Sequence, residues 1–143
     1  MNKPTDFQRI IDGLTETQWK ELYLDHARGK RTDIVPFPDE DIQIITNGMK
    51  GEATARHAIS LLDYIISGIR EATNLTKDMR VLDYGCGWGR MTRLLPYYFN
   101  ANNITGADVD EDLINSANTL LPYINTFAKM KHDYSMIFTT KNF

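Results

Sequence analysis

The sequence predicts an α/β fold, a mostly parallel and incomplete sheet preceded by a helical N-terminal region, on three observations. Apolar residues between positions 52 and 71 recur at the period of an α-helix. Beyond Asn74 the pattern changes to a short apolar strand, Arg80 to Tyr84, which runs into a glycine-rich loop and then into apolar residues at helical spacing. A second strand and helix follow, Ile104 to Val109 and Glu111 to Leu120, and strands alternating with helices build parallel sheets.

At 143 residues the chain fits one domain, expected to divide into a helical region over 1–74 and the front half of an α/β domain over 75–143. Its 42% hydrophobic and 24% charged residues suffice for a packed core. A net charge of −3, with a basic cluster at Arg28 to Arg31 that Asp25 and Asp33 flank, argues against nucleic acid as the main partner, since phosphate binding needs clustered Lys and Arg. The single cysteine, Cys86, cannot close an internal disulfide, and no apolar run approaches the roughly 20 residues of a membrane span. A cytoplasmic chain without membrane contact is therefore expected. His26, His57 and His132 are too far apart for metal-ligand spacing, so no metal is expected.

In chain order, the first helix signal begins at Thr15, where Thr15 and Gln18 have capping-box spacing and Trp19, Leu22, Tyr23 and His26 follow at helical intervals. Gly29 should end it. An irregular connector with Pro36 and Pro38 carries a short apolar patch, Ile42, Ile44 and Ile45, and closes on the turn signal Asn47-Gly48. Ala55, Ala58, Ile59, Leu62, Ile65, Ile66 and Ile69 then trace one continuous helical face that must be buried against something. After the glycine loop, Met91, Leu94, Leu95 and Tyr98 keep helical spacing, and Pro96 should kink or end that helix near Leu95.

The loop Asp83-Tyr84-Gly85-Cys86-Gly87-Trp88-Gly89 carries the chemistry. A strand that turns sharply into a helix while its backbone approaches a ligand needs residues without a Cβ, here Gly85, Gly87 and Gly89. Free amides and the positive dipole end of the following helix would suit an anionic group on that ligand. The spacing is Gly-x-Gly-x-Gly with Arg90 next, unlike the Gly-x-Gly-x-x-Gly or Ala of dinucleotide sites, which argues against NAD or FAD. Asp83, two residues before the first glycine, suits a ligand ammonium, and Asp108, 23 residues after Gly85, is spaced like an acid that holds ribose hydroxyls. Cys86 reads as a small loop filler, and Trp88 either borders the pocket or covers the helix start.

The string Val81 to Arg90, followed by Ile104 to Asp110, resembles the first two sequence motifs of class I S-adenosylmethionine-dependent methyltransferases, over about Arg80 to Leu120. The resemblance implies a Rossmann-like fold, S-adenosylmethionine as cofactor and methyl transfer to a small-molecule acceptor. It implies cofactor contacts at Asp83, Tyr84, Gly85, Cys86, Gly87, Gly89, Asp108 and Val109, with Asp83 near the methionine ammonium and Asp108 on the ribose.

The sequence departs from that family after the second helix. One clear apolar run, Tyr134 to Thr139, and a weaker one, Tyr123 to Ala128, are separated by the five residues Lys129 to Asp133, too few for a parallel crossover. The pair is an antiparallel hairpin, or one run is not a strand, or the third-strand region is missing. Ser135 also stands where the family's fourth strand carries an Asp. A methyltransferase in truncated or inactive form is thus expected, with no assignable general base and an open sheet edge that a second copy, another chain or the N-terminal helices cover. The competing reading is a non-catalytic ligand-binding or interaction module on the same scaffold.

Overall fold

The computed structural model describes residues 4–124 and 126–129. Four helices come first: α1 (Pro4–Asp12), α2 (Glu16–Ala27), α3 (Glu40–Asn47) and α4 (Gly51–Ala72). Then follow β1 (Val81–Tyr84), two 3-10 segments (Thr92–Tyr97 and Ala101–Asn103), β2 (Ile104–Asp108), α5 (Glu111–Leu120) and β3 (Thr126–Lys129).

The Thr15 signal holds in full: the Thr15 hydroxyl accepts from the Gln18 amide, the Gln18 side chain accepts from the Thr15 amide, and Gly29 leaves the helix at φ 73°. Two helices escaped the sequence reading. α1 lies ahead of Thr15, and the patch Ile42, Ile44 and Ile45 lies on α3 rather than in an irregular connector. Eight residues give too few turns for a period to stand out. α3 is instead held by its own side chain: buried Gln43 donates to the Pro38 carbonyl at 2.7 Å and accepts from the Gly51 amide at 2.8 Å. α4 runs 22 residues and buries Ala55, Ala58, Leu62 and Ile66, with α2 as its main neighbour. The expected stripe is narrower than its sequence pattern, since Ile65 is 42% exposed.

The three strands are parallel in the order β1-β2-β3, with Val81 opposite Ile104 and Asp108 opposite Lys129 marking the two ends of the register. The parallel order is compatible with an incomplete doubly wound sheet, in which the front strands run 3-2-1 from the edge inward. A missing third-strand region is therefore overturned, because Thr126–Lys129 fills that place through the crossover helix α5. The run Tyr134 to Thr139 lies outside the described residues.

The segment behind the glycine loop is the main correction. No α-helix forms there; the chain winds into a 3-10 helix with Pro96 inside it. In an α-helix the proline ring would meet the Thr92 carbonyl and no amide would reach it. Bonds of the i to i−3 kind, Leu94 amide to Met91 carbonyl and Tyr98 amide to Leu95 carbonyl, both 2.9 Å, tighten the coil instead. Carbonyls left over are taken by the N-terminal helices. Trp19 Nε1 donates to the Leu94 carbonyl at 3.0 Å, the Tyr23 hydroxyl to that of Arg90 at 3.1 Å, and Gln8 to that of Pro96 at 3.3 Å.

Candidate functional site

Strand β1 ends at Tyr84, and the chain turns through Gly85 at φ 73° and Gly87 at φ 54°, backbone angles that an L side chain resists. A Cβ at Gly85 would meet nothing within 4 Å, so backbone conformation rather than crowding within the protein requires glycine there. The Gly85 and Cys86 amides donate to the Ala107 carbonyl at 2.7 and 3.1 Å, which carries the β1–β2 ladder one step past the strand. The Gly87 amide donates to the Asp108 carboxylate at 2.8 Å.

A cleft of about 380 Å³ opens at this end of the sheet, within the range of small-molecule sites. Gly85, Cys86, Gly87 and Asp108 line it together, as four of the predicted residues. Tyr84 and Val109 are nearby but face solvent, 49% and 41% exposed, and neither they, Asp83 nor Gly89 line the cleft. Trp88 does both things considered for it: it borders the cleft, and it is buried with Nε1 donating to Thr46 of α3 at 2.9 Å.

Three carboxylates surround the loop in different states. Asp108 spends its two oxygens on the Gly87 amide and, at 3.0 Å, the Asp110 amide, while Asp110 caps α5 through the amides of Asp112 and Leu113. Asp83 accepts from the Thr92 hydroxyl at 2.5 Å; burial pushes its carboxyl above the usual range, against the Thr92 hydrogen bonds and the charge of Arg90. Burial also pushes the Cys86 thiol up to about 12, with Asp83 and Asp108 adding to it, so the thiol is inert at neutral pH.

The sequence reading missed the wall of the cleft that comes from far away in the chain. Ile45, Thr46 and Asn47 of α3 face the loop across the cleft, and His57 of α4 meets Arg90 at its rim, Nδ1 to Nη1 2.9 Å. It also missed Arg93, which is fully buried. Its guanidinium donates to the carbonyls of Gly89 at 3.0 Å, Trp88 at 2.8 Å and Pro36, and lies 4.5 Å from the Trp88 ring centroid and 5.0 Å from that of Phe37. Burial lowers its pKa to about 10, which leaves it charged at neutral pH. Arg93 thus ties the end of the loop to the connector before α3. A signal existed in the sequence only as an Arg between Thr92 and the apolar residues Leu94 and Leu95. His26 is also buried and serves the core, with Nδ1 2.8 Å from the Leu22 carbonyl and Nε2 accepting from the Ile34 amide at 3.2 Å.

No helix among the described residues is long and apolar enough to cross a membrane. No known family profile matches the chain, and no solved structure does. Among curated proteins the chain is similar to trans-aconitate 2-methyltransferase of Sinorhizobium medicae (strain WSM419), 44% identical over 45 residues. The likeness covers 32% of this chain and 18% of that protein, so the chain spans less than a fifth of the relative it matches and resembles a methyltransferase over that stretch alone.

Proposed function

We propose that this chain holds the S-adenosylmethionine-binding part of a methyltransferase that acts on a small-molecule acceptor. The observation that carries the reading is the Asp108 carboxylate set against the left-handed glycine loop, at the C-terminal ends of adjacent parallel strands. That is the end of such sheets at which ligands bind. The partial likeness to a protein named for methylating a small acid supports it.

The residues fit this cofactor. Asp108 and Asp110 offer oxygens to ribose hydroxyls and a negative field to a sulfonium, while the space above Gly85 is open. When bound, the cofactor supplies an activated methyl whose transfer depends mainly on alignment of donor and acceptor. The chain's own part is to hold the ribose through Asp108, to attract the ammonium through the charge of Asp83 from outside the cleft's lining, and to keep water out with Trp88 and Leu113. Cytoplasmic residence and the division at residue 74 belong to the same proposal. So does self-association through β1, which pairs only with β2 among the described residues; a monomer in concentrated solution by sedimentation velocity would remove that part.

Calorimetric titration should show tighter binding of S-adenosylmethionine and S-adenosylhomocysteine than of NAD. Equal or stronger binding of NAD overturns the reading. Asp108→Ala should weaken binding about ten- to a hundred-fold, the worth of charged hydrogen bonds. Because Asp108 also holds the Gly87 amide, the same change should lower stability by about 1–3 kcal/mol.

A non-catalytic binding module is the second reading, favoured by the loop's internal closure, the Gly87 amide on Asp108 and the Gly85 and Cys86 amides on the Ala107 carbonyl. Ligand binding without turnover on a panel of small acids would select it.

A further inference from the structure

We infer that the Arg90 guanidinium, oriented by His57, forms a carboxylate-binding subsite at the mouth of the glycine-loop cleft; the inference rests on the reading of that cleft as a cofactor site. The groups expected from sequence to receive an anion are engaged elsewhere. The amides of Gly85 and Cys86 are held by Ala107, that of Gly87 by Asp108, and the segment behind the loop is a six-residue 3-10 helix instead of an α-helix with a dipole end.

A ligand carboxylate that enters this cleft meets Asp108 and Asp110, which repel it, and Arg90 as the cation among the lining residues. Arg90 and exposed Arg80 stand apart from the other surface arginines, and of the two Arg90 is the one that lines the cleft. Arg9, Arg28, Arg31, Arg56 and Arg70 each pair with a carboxylate, whereas no carboxylate among the described residues lies within ion-pair distance of Arg90. Its side-chain partner is the His57 ring, whose Nδ1 accepts one N–H at 2.9 Å. A guanidinium has five N–H donors in a planar fork, so this bond fixes the plane and leaves donors for a two-oxygen acceptor. The Tyr23 hydroxyl holds the Arg90 carbonyl at 3.1 Å and fixes the backbone that carries the fork. Arg90 is half-buried, which strengthens a charged hydrogen bond relative to open solvent.

The same chemistry serves two sources, the aminoacyl carboxylate of the cofactor or a carboxylate on the acceptor. Titration of the full chain with S-adenosylhomocysteine, methylthioadenosine and, in the presence of saturating nucleoside, succinate separates them. Methylthioadenosine has the nucleoside thioether but no amino-acid group. In the cofactor arm, Arg90→Gln weakens S-adenosylhomocysteine about ten- to a hundred-fold and leaves methylthioadenosine unchanged. In the acceptor arm, both nucleosides bind as before and succinate binding is lost. His57→Phe should give a smaller loss of the same selectivity, the mark of a positioning residue, with the thermal melt unchanged. If Arg90→Gln alters neither S-adenosylhomocysteine nor succinate, the subsite is refuted. Should the wild type bind neither nucleoside, the cofactor reading fails by itself, and the subsite stands or falls on Arg90-dependent binding of succinate.

Discussion

In front of the glycine loop, β1 and β2 are joined by a backbone ladder whose register continues past Tyr84, as the Gly85 and Cys86 amides both reach Ala107. Behind the loop, the stretch from Arg90 to Tyr97 depends on side chains from 67 to 88 residues away, Tyr23, Trp19 and Gln8, because Pro96 has removed the α-helical pattern that would satisfy its carbonyls locally. A backbone ladder needs little from the identity of its residues. A proline-interrupted crossover needs particular donors at particular places, so the N-terminal helices are part of the loop's support rather than an appendage.

The largest expected effect comes from Arg93→Met, which takes the guanidinium donor from the carbonyls of Trp88 and Pro36 and leaves that of Gly89 with the Arg93 amide alone. A loss of about 3–5 kcal/mol is expected from urea unfolding, in the range for breaking a buried charged network. Arg93→Lys should recover little of it, because an ammonium lacks the planar fork. A loss under about 1 kcal/mol for either variant would mean that water enters and serves those carbonyls equally well.

Next in size, Trp19→Phe should cost about 1–3 kcal/mol by orphaning the Leu94 carbonyl. Tyr23→Phe should cost about 1 kcal/mol and loosen Arg90. If these losses came without any change in nucleoside affinity, the link from helices to loop would be mechanical only.

On the ladder side, Asp83 gives a change of opposite sign. Its folded-state pKa is raised, so the folded form holds a proton more readily than the unfolded one. The stability from its protonated form is present below the unfolded value of 3.8 and is lost as pH rises through the folded value. Asp83→Asn should therefore stabilise the fold at neutral pH, visible as a higher melting temperature, while it weakens S-adenosylmethionine binding. A gain in both properties would argue against a ligand role for Asp83.

The smallest effect should come from His26. Burial lowers its pKa, against the pull of the Leu22 carbonyl and Asp33. Stability from its neutral form is complete above the unfolded value of 6.5 and is lost as pH falls toward the folded value, since protonated Nε2 can no longer accept from the Ile34 amide. The urea midpoint of His26→Gln should be flatter with pH across that window.

Local patterns were legible where they repeat or combine. The capping box at Thr15 and Gln18, the long period of α4 and the strand-loop order around Gly85 need only neighbouring residues, and all three appear in the structure. α3 was not legible because it is short and is held by Gln43 reaching out at both ends. β3 read as the weaker of two apolar runs, because four residues beside a buried strand carry little pattern of their own. Trp88 stayed ambiguous for the same reason, as its partner Thr46 is 42 residues away.

By itself, the sequence determined where the chain turns and which residues were candidates to meet a ligand: the glycines whose φ is positive, the acids at the ends of β1 and β2, and the proline that interrupts the helical spacing behind the loop. Only the tertiary structure decided what those residues are free to do. It closed Asp108 on the Gly87 amide, turned Asp83 toward Thr92, buried Arg93 among carbonyls and left Arg90 beside His57 at the mouth of the cleft. The physical reason is that a turn is a local property of φ and ψ, whereas the availability of a charge depends on every donor and acceptor that folding brings within about 3 Å of it.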